Sequence, residues 1–219
     1  MAERYPAGSP LPAERTLAEI FHVNRHVVRE ALKRLEQLGL VLTSRTGRTE
    51  VADIKRNAGL EVLAMMAEHT RGGAEANKYL LSVLEMRGLI GTDIVRLCAQ
   101  RASREVRDEL VRIAAEMRAA TTDVALFQLE VSFWEKLLEG ADNIAYRLAF
   151  NTLLKGAYAM GLVAIEYSLS EIRNSDFRGP LAAAIAAGKS EEAESMSRAR
   201  MRQAIDAFAA AGVRPPESK

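Results

Sequence analysis

The sequence predicts a mainly α protein in two parts: a small helical unit with a β wing, then an all-α bundle of about six or seven helices. Three observations predict it. Residues 10–51 run through two short amphipathic helical patterns and then a two-stranded pattern. Cations collect in that same stretch. From about residue 59 onward apolar residues recur with helical spacing, and proline is absent until Pro180.

Pro12 suits the first turn of a helix, where its missing N–H has no partner to lose, and Leu17, Ala18, Ile20 and Phe21 supply that helix with an apolar side. The helix ends near His22. Val23 and Asn24 turn the chain, and Asn24 is a good N-cap for the helix that follows. In that second helix Val28, Ala31, Leu32 and Leu35 fall at i, i+3, i+4 and i+7 and define a buried stripe, which leaves Arg25, His26, Arg29 and Lys33 on the other side. Such a cationic arc is either a solvated face or a surface for phosphates and guanine edges. The flanks favour DNA. Gly39 closes the helix as a C′ glycine, Val41, Leu42 and Thr43 read as a strand, Arg45, Thr46, Gly47 and Arg48 make a turn with a cationic tip, and Thr49 and Val51 begin the return strand. Up to Arg56, ten Lys and Arg stand against seven Asp and Glu, an excess of +3 in a chain whose net charge is only +1. Helix, turn, basic helix and wing in this order make residues 1–53 a winged helix-turn-helix.

The run LPAERTLAEIF, followed by VNRHVVREALKRLEQLGLV, resembles the DNA-binding domain of the GntR family of bacterial transcription regulators. By that resemblance Arg15 holds a phosphate, Arg25 and Arg29 approach bases or backbone, and the tip from Arg45 to Thr49 enters the minor groove. His26 and Val27 stand where the family writes a small polar residue, which implies a different operator sequence. Family members carry a further helix before this segment, whereas only MAERY precedes Pro6, so the sequence reads as a shortened chain whose first unit has a small core.

The 219 residues have the apolar content of an ordinary soluble protein, no apolar run near the ~18 residues of a membrane span and no signal-peptide pattern. The lone Cys98 fits a reducing compartment, so a cytoplasmic protein is expected. Residues 54–58 read as a linker and 59–212 as the bundle, with helices near 59–70, 74–101, 103–118, 122–139, 142–166, 168–187 and 189–211.

Charges on apolar faces single out the bundle's candidate site. Arg87 falls within the stripe of Leu80, Val83, Leu84, Ile90, Ile94, Leu97 and Cys98, and Gly91 beside it leaves space for a small molecule. Glu130 lies among Phe127, Val131, Trp134 and Leu138, and Arg200 among Ala193, Met196, Ala204 and Ala207. Buried charges must pair with one another or with a ligand. One reading is a structural network of Glu130 with Arg87 or Arg200; the other is a cavity for an anion, and the two are compatible.

The helical half resembles the effector domains of the FadR subfamily. Many of those hold a divalent metal through an Asp and three His, and the resemblance places these positions on Glu130, Trp134, Arg178 and Arg200. Without a histidine among them, no metal is expected. The aromatic at the first histidine position is similar to the subfamily's acyl-CoA-responsive fatty-acid regulators. That likeness implies Arg87, Tyr158 and Phe208 as ligand contacts and Leu84, Ile90, Phe133, Trp134, Leu137 and Leu153 as walls. The implied protein is a homodimer on a double-stranded DNA operator, responsive to an anionic effector, an acyl-CoA or an organic acid. A dimer with a ligand-free structural bundle is the alternative. No phosphate loop, nucleophile elbow, His-Glu-x-x-His or triad spacing is present, so neither an enzyme nor a bound cofactor is expected.

Overall fold

The computed structural model describes residues 5–44, 47–69, 74–159, 172–173 and 176–211. It is mainly helical, with one two-stranded antiparallel sheet. The chain forms two compact units, Met1–Leu63 and Ala64–Lys219.

In the first unit α1 (Glu14–Phe21) ends where His22 turns left-handed at φ 54°, and α2 (Arg25–Gln37) begins at Asn24, whose Oδ1 accepts the Val27 N–H at 2.9 Å. The expected cap and turn are therefore both present. Leu17, Ala18 and Val28 are buried with Leu32 packed against them. Ile20, Phe21 and Ala31, expected on the inward sides, are exposed, because the contact between two short helices covers only the residues on their facing ridges. Strands β1 (Val41–Thr43) and β2 (Thr49–Val51) pair Val41 with Val51 and Thr43 with Thr49. The segment before α1 adds to this wing: Leu11 N–H donates to Thr49 O, Gly8 N–H to Val51 O, and Ser9 O accepts from Val51 N–H.

Residues 54–58, read as a linker, instead contain the short helix α3 (Ile54–Asn57), capped by the Asp53 carboxylate and counted in the first unit. Gly39 explains how α3 fits. Its φ of +69° is the left-handed C′ conformation, and a Cβ there would lie 2.1 Å from Asn57 O, so only glycine lets the end of α3 come so close. Helix α4 (Glu61–His69) follows.

The second unit is built from α5 (Ala74–Arg101), α6 (Arg104–Ala119), α7 (Asp123–Ala141), α8 (Ile144–Ala159), α9 (Arg178–Ala186) and α10 (Ser190–Ala211). Ser103, Thr122 and Asn143 cap α6, α7 and α8 by accepting backbone N–H groups, and Asp142, left-handed at φ 46°, ends α7. Helix α5 packs on α7 and α10, and α6 on α7 and α9. Their shared core contains Ile94, Val95 and Cys98 of α5, Leu110 of α6, Phe133 and Leu137 of α7, and Leu181 and Ile185 of α9.

Two expected features of this unit change. The helix expected over 168–187 is interrupted by a turn at Asp176 and Phe177, and α9 starts at Arg178, so that Pro180 sits in the first turn, where no N–H is needed. In α10 the buried residues are Ala193, Ser197, Met201, Ala204 and Phe208, so Arg200 borders the inward stripe rather than occupying its middle, and Ala207 is exposed. No helix among the described residues is long and apolar enough to cross a membrane.

Candidate functional site

The cationic face of the first unit is built by α2 and the wing. Arg25, His26, Arg29 and Lys33 are all exposed along α2, Arg15 is exposed on α1, and Gly47 and Arg48 are exposed at the wing. Arg45 and Thr46 lie outside the described residues. Ser44 frames the wing turn: its carbonyl accepts Gly47 N–H at 2.9 Å, its N–H donates to Arg48 O at 2.8 Å, and its hydroxyl accepts Arg48 N–H at 3.1 Å.

Five of these cations have carboxylates beside them. Arg29 donates through Nε and Nη2 to the two oxygens of Glu14 at 3.2 and 3.0 Å, and Arg25 Nη2 stands 3.9 Å from the same carboxylate. Lys33 donates to Glu30 at 2.9 Å, Arg48 lies 3.4 Å from Glu50, and Arg15 lies 3.8 Å from Glu19. The hydrogen bonds from Arg29 hold the Glu14 carboxyl below the ordinary glutamate range, and those from Lys33 do the same for Glu30. The pattern of cations in the sequence does not point to Glu14. Its position one helix away is what hid it.

In the second unit a cavity of about 140 Å³ opens between α5, α7, α8, α10 and the start of α9. Ile90, Ile94, Phe127, Val131, Phe150, Leu153, Leu154 and Met201 give it apolar walls, and Arg87, Glu130, Trp134, Arg178 and Arg200 also line it. Five of the six expected ligand residues thus converge. The sixth, Tyr158, belongs to α8, and its side chain lies outside the described residues. Of the expected walls, Ile90, Trp134 and Leu153 line the cavity; Phe133 and Leu137 are fully buried in the bundle core and are not among the described lining residues. Phe208 is buried, and neither it nor Leu84 is among the described lining residues.

Glu130 is the electrostatic centre of this cavity. Arg178 donates to it through Nε at 2.8 Å and, more closely, through Nη2, while Trp134 Nε1 donates at 2.8 Å. The direct partner is therefore Arg178 rather than the expected Arg87 or Arg200; its guanidinium also stands 5.1 Å from the Phe177 ring centre and 5.6 Å from that of Phe133. Burial alone would raise the Glu130 pKa, yet it is held below the ordinary value by Arg178, by the Trp134 bond and by the field of Arg87. Gly91 also changes role. A Cβ there would lie 2.9 Å from Trp134 Cη2, so the missing side chain makes room for the indole, which stacks on Phe150 with ring centres 6.3 Å apart.

This donor set does not suit a divalent cation. Both Glu130 oxygens already accept from a guanidinium, a second and third guanidinium line the same space, and no three His, Cys, Asp or Glu converge among the described residues. The described walls carry three guanidinium groups against one carboxylate and are otherwise apolar, which suits an anion with an apolar body.

Comparison with known proteins gives a consistent assignment. Residues 1–51 match the family described as bacterial regulatory proteins, gntR family, and residues 82–203 match the FCD domain. The HTH-type transcriptional regulator Mce2R of Mycobacterium tuberculosis is 34% identical over 186 residues, 84% of this chain and 75% of that protein. The fatty acid metabolism regulator protein of Pectobacterium atrosepticum is 30% identical over 155 residues, 71% of this chain and 62% of that protein. Among solved structures, Streptococcus agalactiae GntR aligns over 94% of this chain and 92% of its own at a TM-score of 0.48 and 21% identity.

Proposed function

We propose, from the premise that this chain belongs to the GntR family of bacterial transcription regulators and carries an FCD domain, that it binds operator DNA through α2 and the wing and senses an anionic effector in the cavity around Glu130. It is a regulator and not an enzyme. In this reading Arg25, His26, Arg29 and Lys33 face the major groove, Arg15 holds a phosphate, and the wing from Arg45 to Arg48 reaches the adjacent groove. A homodimer would present two such faces to a palindromic operator, and the effector would bias their relative placement.

The observation that carries the sensor half is the charge of an apolar cavity: among its described walls, Arg87, Arg178 and Arg200 stand against Glu130. Arg87 and Arg200, which line the cavity beside Arg178, are assigned to the effector's anion, with Trp134 against its apolar body. Relatives named as fatty acid metabolism regulators bring acyl-CoA or a fatty acid into consideration. The volume favours a compact acid, since about 140 Å³ is close to the ~150 Å³ cavity that takes up a benzene-sized molecule.

The test uses Trp134, the only tryptophan of the chain, as a fluorophore within the cavity wall. Titration with benzoate, octanoate and octanoyl-CoA is expected to give a saturable change for at least one, and Arg87→Ala is expected to abolish it while the melting temperature holds. No saturable change with any of the three would favour the ligand-free structural bundle. Unfolding of the Arg87→Ala protein would assign Arg87 to the fold instead.

A further inference from the structure

We infer that Glu14 is a specificity-determining residue of the DNA-binding face, a carboxylate that aims Arg29 and restrains Arg25 and Arg29 from binding any duplex they meet. The inference rests on the DNA-binding role of α2 given above. Lys33 and Arg48 take their carboxylates from two or three residues away in the chain, Glu30 and Glu50. Glu14 is different. It is the first residue of α1 and reaches across to α2, where it accepts both Nε and Nη2 of Arg29 and lies within 3.9 Å of Arg25. Two parallel bonds fix the plane of the Arg29 guanidinium, and they leave its Nη1 donors for a further acceptor.

An exposed pair of this kind adds little to stability. Its consequence falls on binding. A phosphate oxygen that approaches Arg29 from an arbitrary direction is repelled by the Glu14 carboxylate and must break the fork to gain both donors. A base edge that meets the outer donors in the preset plane leaves the fork intact. Specificity is a difference between two such affinities, and a fixed negative charge beside the reading cations lowers the unspecific one more. With Glu14 neutralised, two guanidinium groups become available to any phosphate.

The experiment compares the full chain with Glu14→Gln by fluorescence anisotropy between 50 and 200 mM salt. The probes are a labelled random-sequence duplex of about 30 base pairs and a duplex enriched from a random library by the wild-type chain. Glu14→Gln is expected to bind the random duplex severalfold more tightly and to steepen the log–log salt slope by up to about two, one for each released guanidinium. The ratio of enriched to random affinity is expected to fall by about tenfold, in the range that one bidentate base contact supplies. Glu14→Asp, with the charge retained, should restore the slope, and the melting temperature should stay at the wild-type value. An unchanged slope and ratio would overturn the inference, as would a lowered melting temperature without either change. Should Glu14→Gln not fold, Arg29→Lys keeps the charge and loses the fork: a lower ratio at constant slope supports the inference, and an unchanged ratio overturns it. A wild-type chain without salt-dependent binding to either duplex would overturn the DNA-binding role of α2 itself, and that failure is visible before any substitution is made.

Discussion

In the first unit Glu14 grips Arg29 while the arginine side chain stays 54% exposed; in the second, Glu130 grips Arg178 with 9% and 14% of the two side chains exposed. Both are forks of two donors on one carboxylate. Water separates their consequences. At the surface, screening and side-chain entropy leave such a pair nearly neutral for folding, so removing it changes what the face binds rather than whether the unit folds. In the bundle both ions have lost their hydration, and either one left alone would be an uncompensated charge in an apolar wall. The same residue types therefore make a contact of little weight for folding in one unit and a heavy one in the other. In the cavity wall, drawing Arg178 away would strand Glu130.

The largest effect should come from the buried fork. Glu130→Gln leaves Arg178 without its counter-ion and is expected to lower stability by about 3–5 kcal/mol in chemical denaturation; a loss no bigger than that of a surface pair would erase the distinction between the units. On the exposed side, Arg29→Ala should weaken binding to an enriched duplex by about tenfold to a hundredfold at fixed salt while melting stays at the wild-type value. Equal affinity would remove α2 from the groove. Gly91→Ala pushes a methyl group against the Trp134 ring and should cost about 1–3 kcal/mol, with a shift in Trp134 emission as the accompanying sign. Smaller still is the pH effect. The Glu130 pKa is lowered in the folded state, so its contribution is fully present above the ordinary value of 4.5 and disappears as pH falls through the lower folded value. The stability difference between wild type and Glu130→Gln should accordingly be flat near neutrality and shrink only in acid. At the far end, Arg198→Ala, which breaks an exposed pair with Glu194 one turn away, should leave the denaturation midpoint unchanged.

Much of the first unit was legible because its signals are local. Asn24, Gly39 and the bonds of Ser44 to Gly47 and Arg48 each act on the backbone within four residues, so their chemistry can be read in one dimension. The pairing of residues 8–11 with β2 was not legible, since Gly8, Ser9 and Pro10 carry no strand pattern of their own. Nor was α3, because a linker and a four-residue helix held by one Asp53 cap look alike until Gly39 is seen to need room for Asn57. In the bundle, periodicity singled out Arg87, Glu130 and Arg200, the family resemblance added Arg178, and neither foresaw which of them would pair. Arg178 lies 48 positions from Glu130, on a helix whose start is set by Pro180, and helical spacing within α7 says nothing about which arginine from another helix will arrive. Gly91 misled for a related reason: an absent side chain reads as space for a ligand, and the indole of another helix had already taken it.

The amino-acid sequence by itself determined the helical character, the Asn24 cap, the basic face of α2 and the charges placed on apolar helix faces, because each follows from propensity, periodicity and charge along a short stretch of chain. The tertiary structure alone decided the partners: Glu14 with Arg29, Glu130 with Arg178, Trp134 over Gly91. Partnership depends on distances between helices and on how much water remains around each ion, and neither quantity exists until the helices have packed.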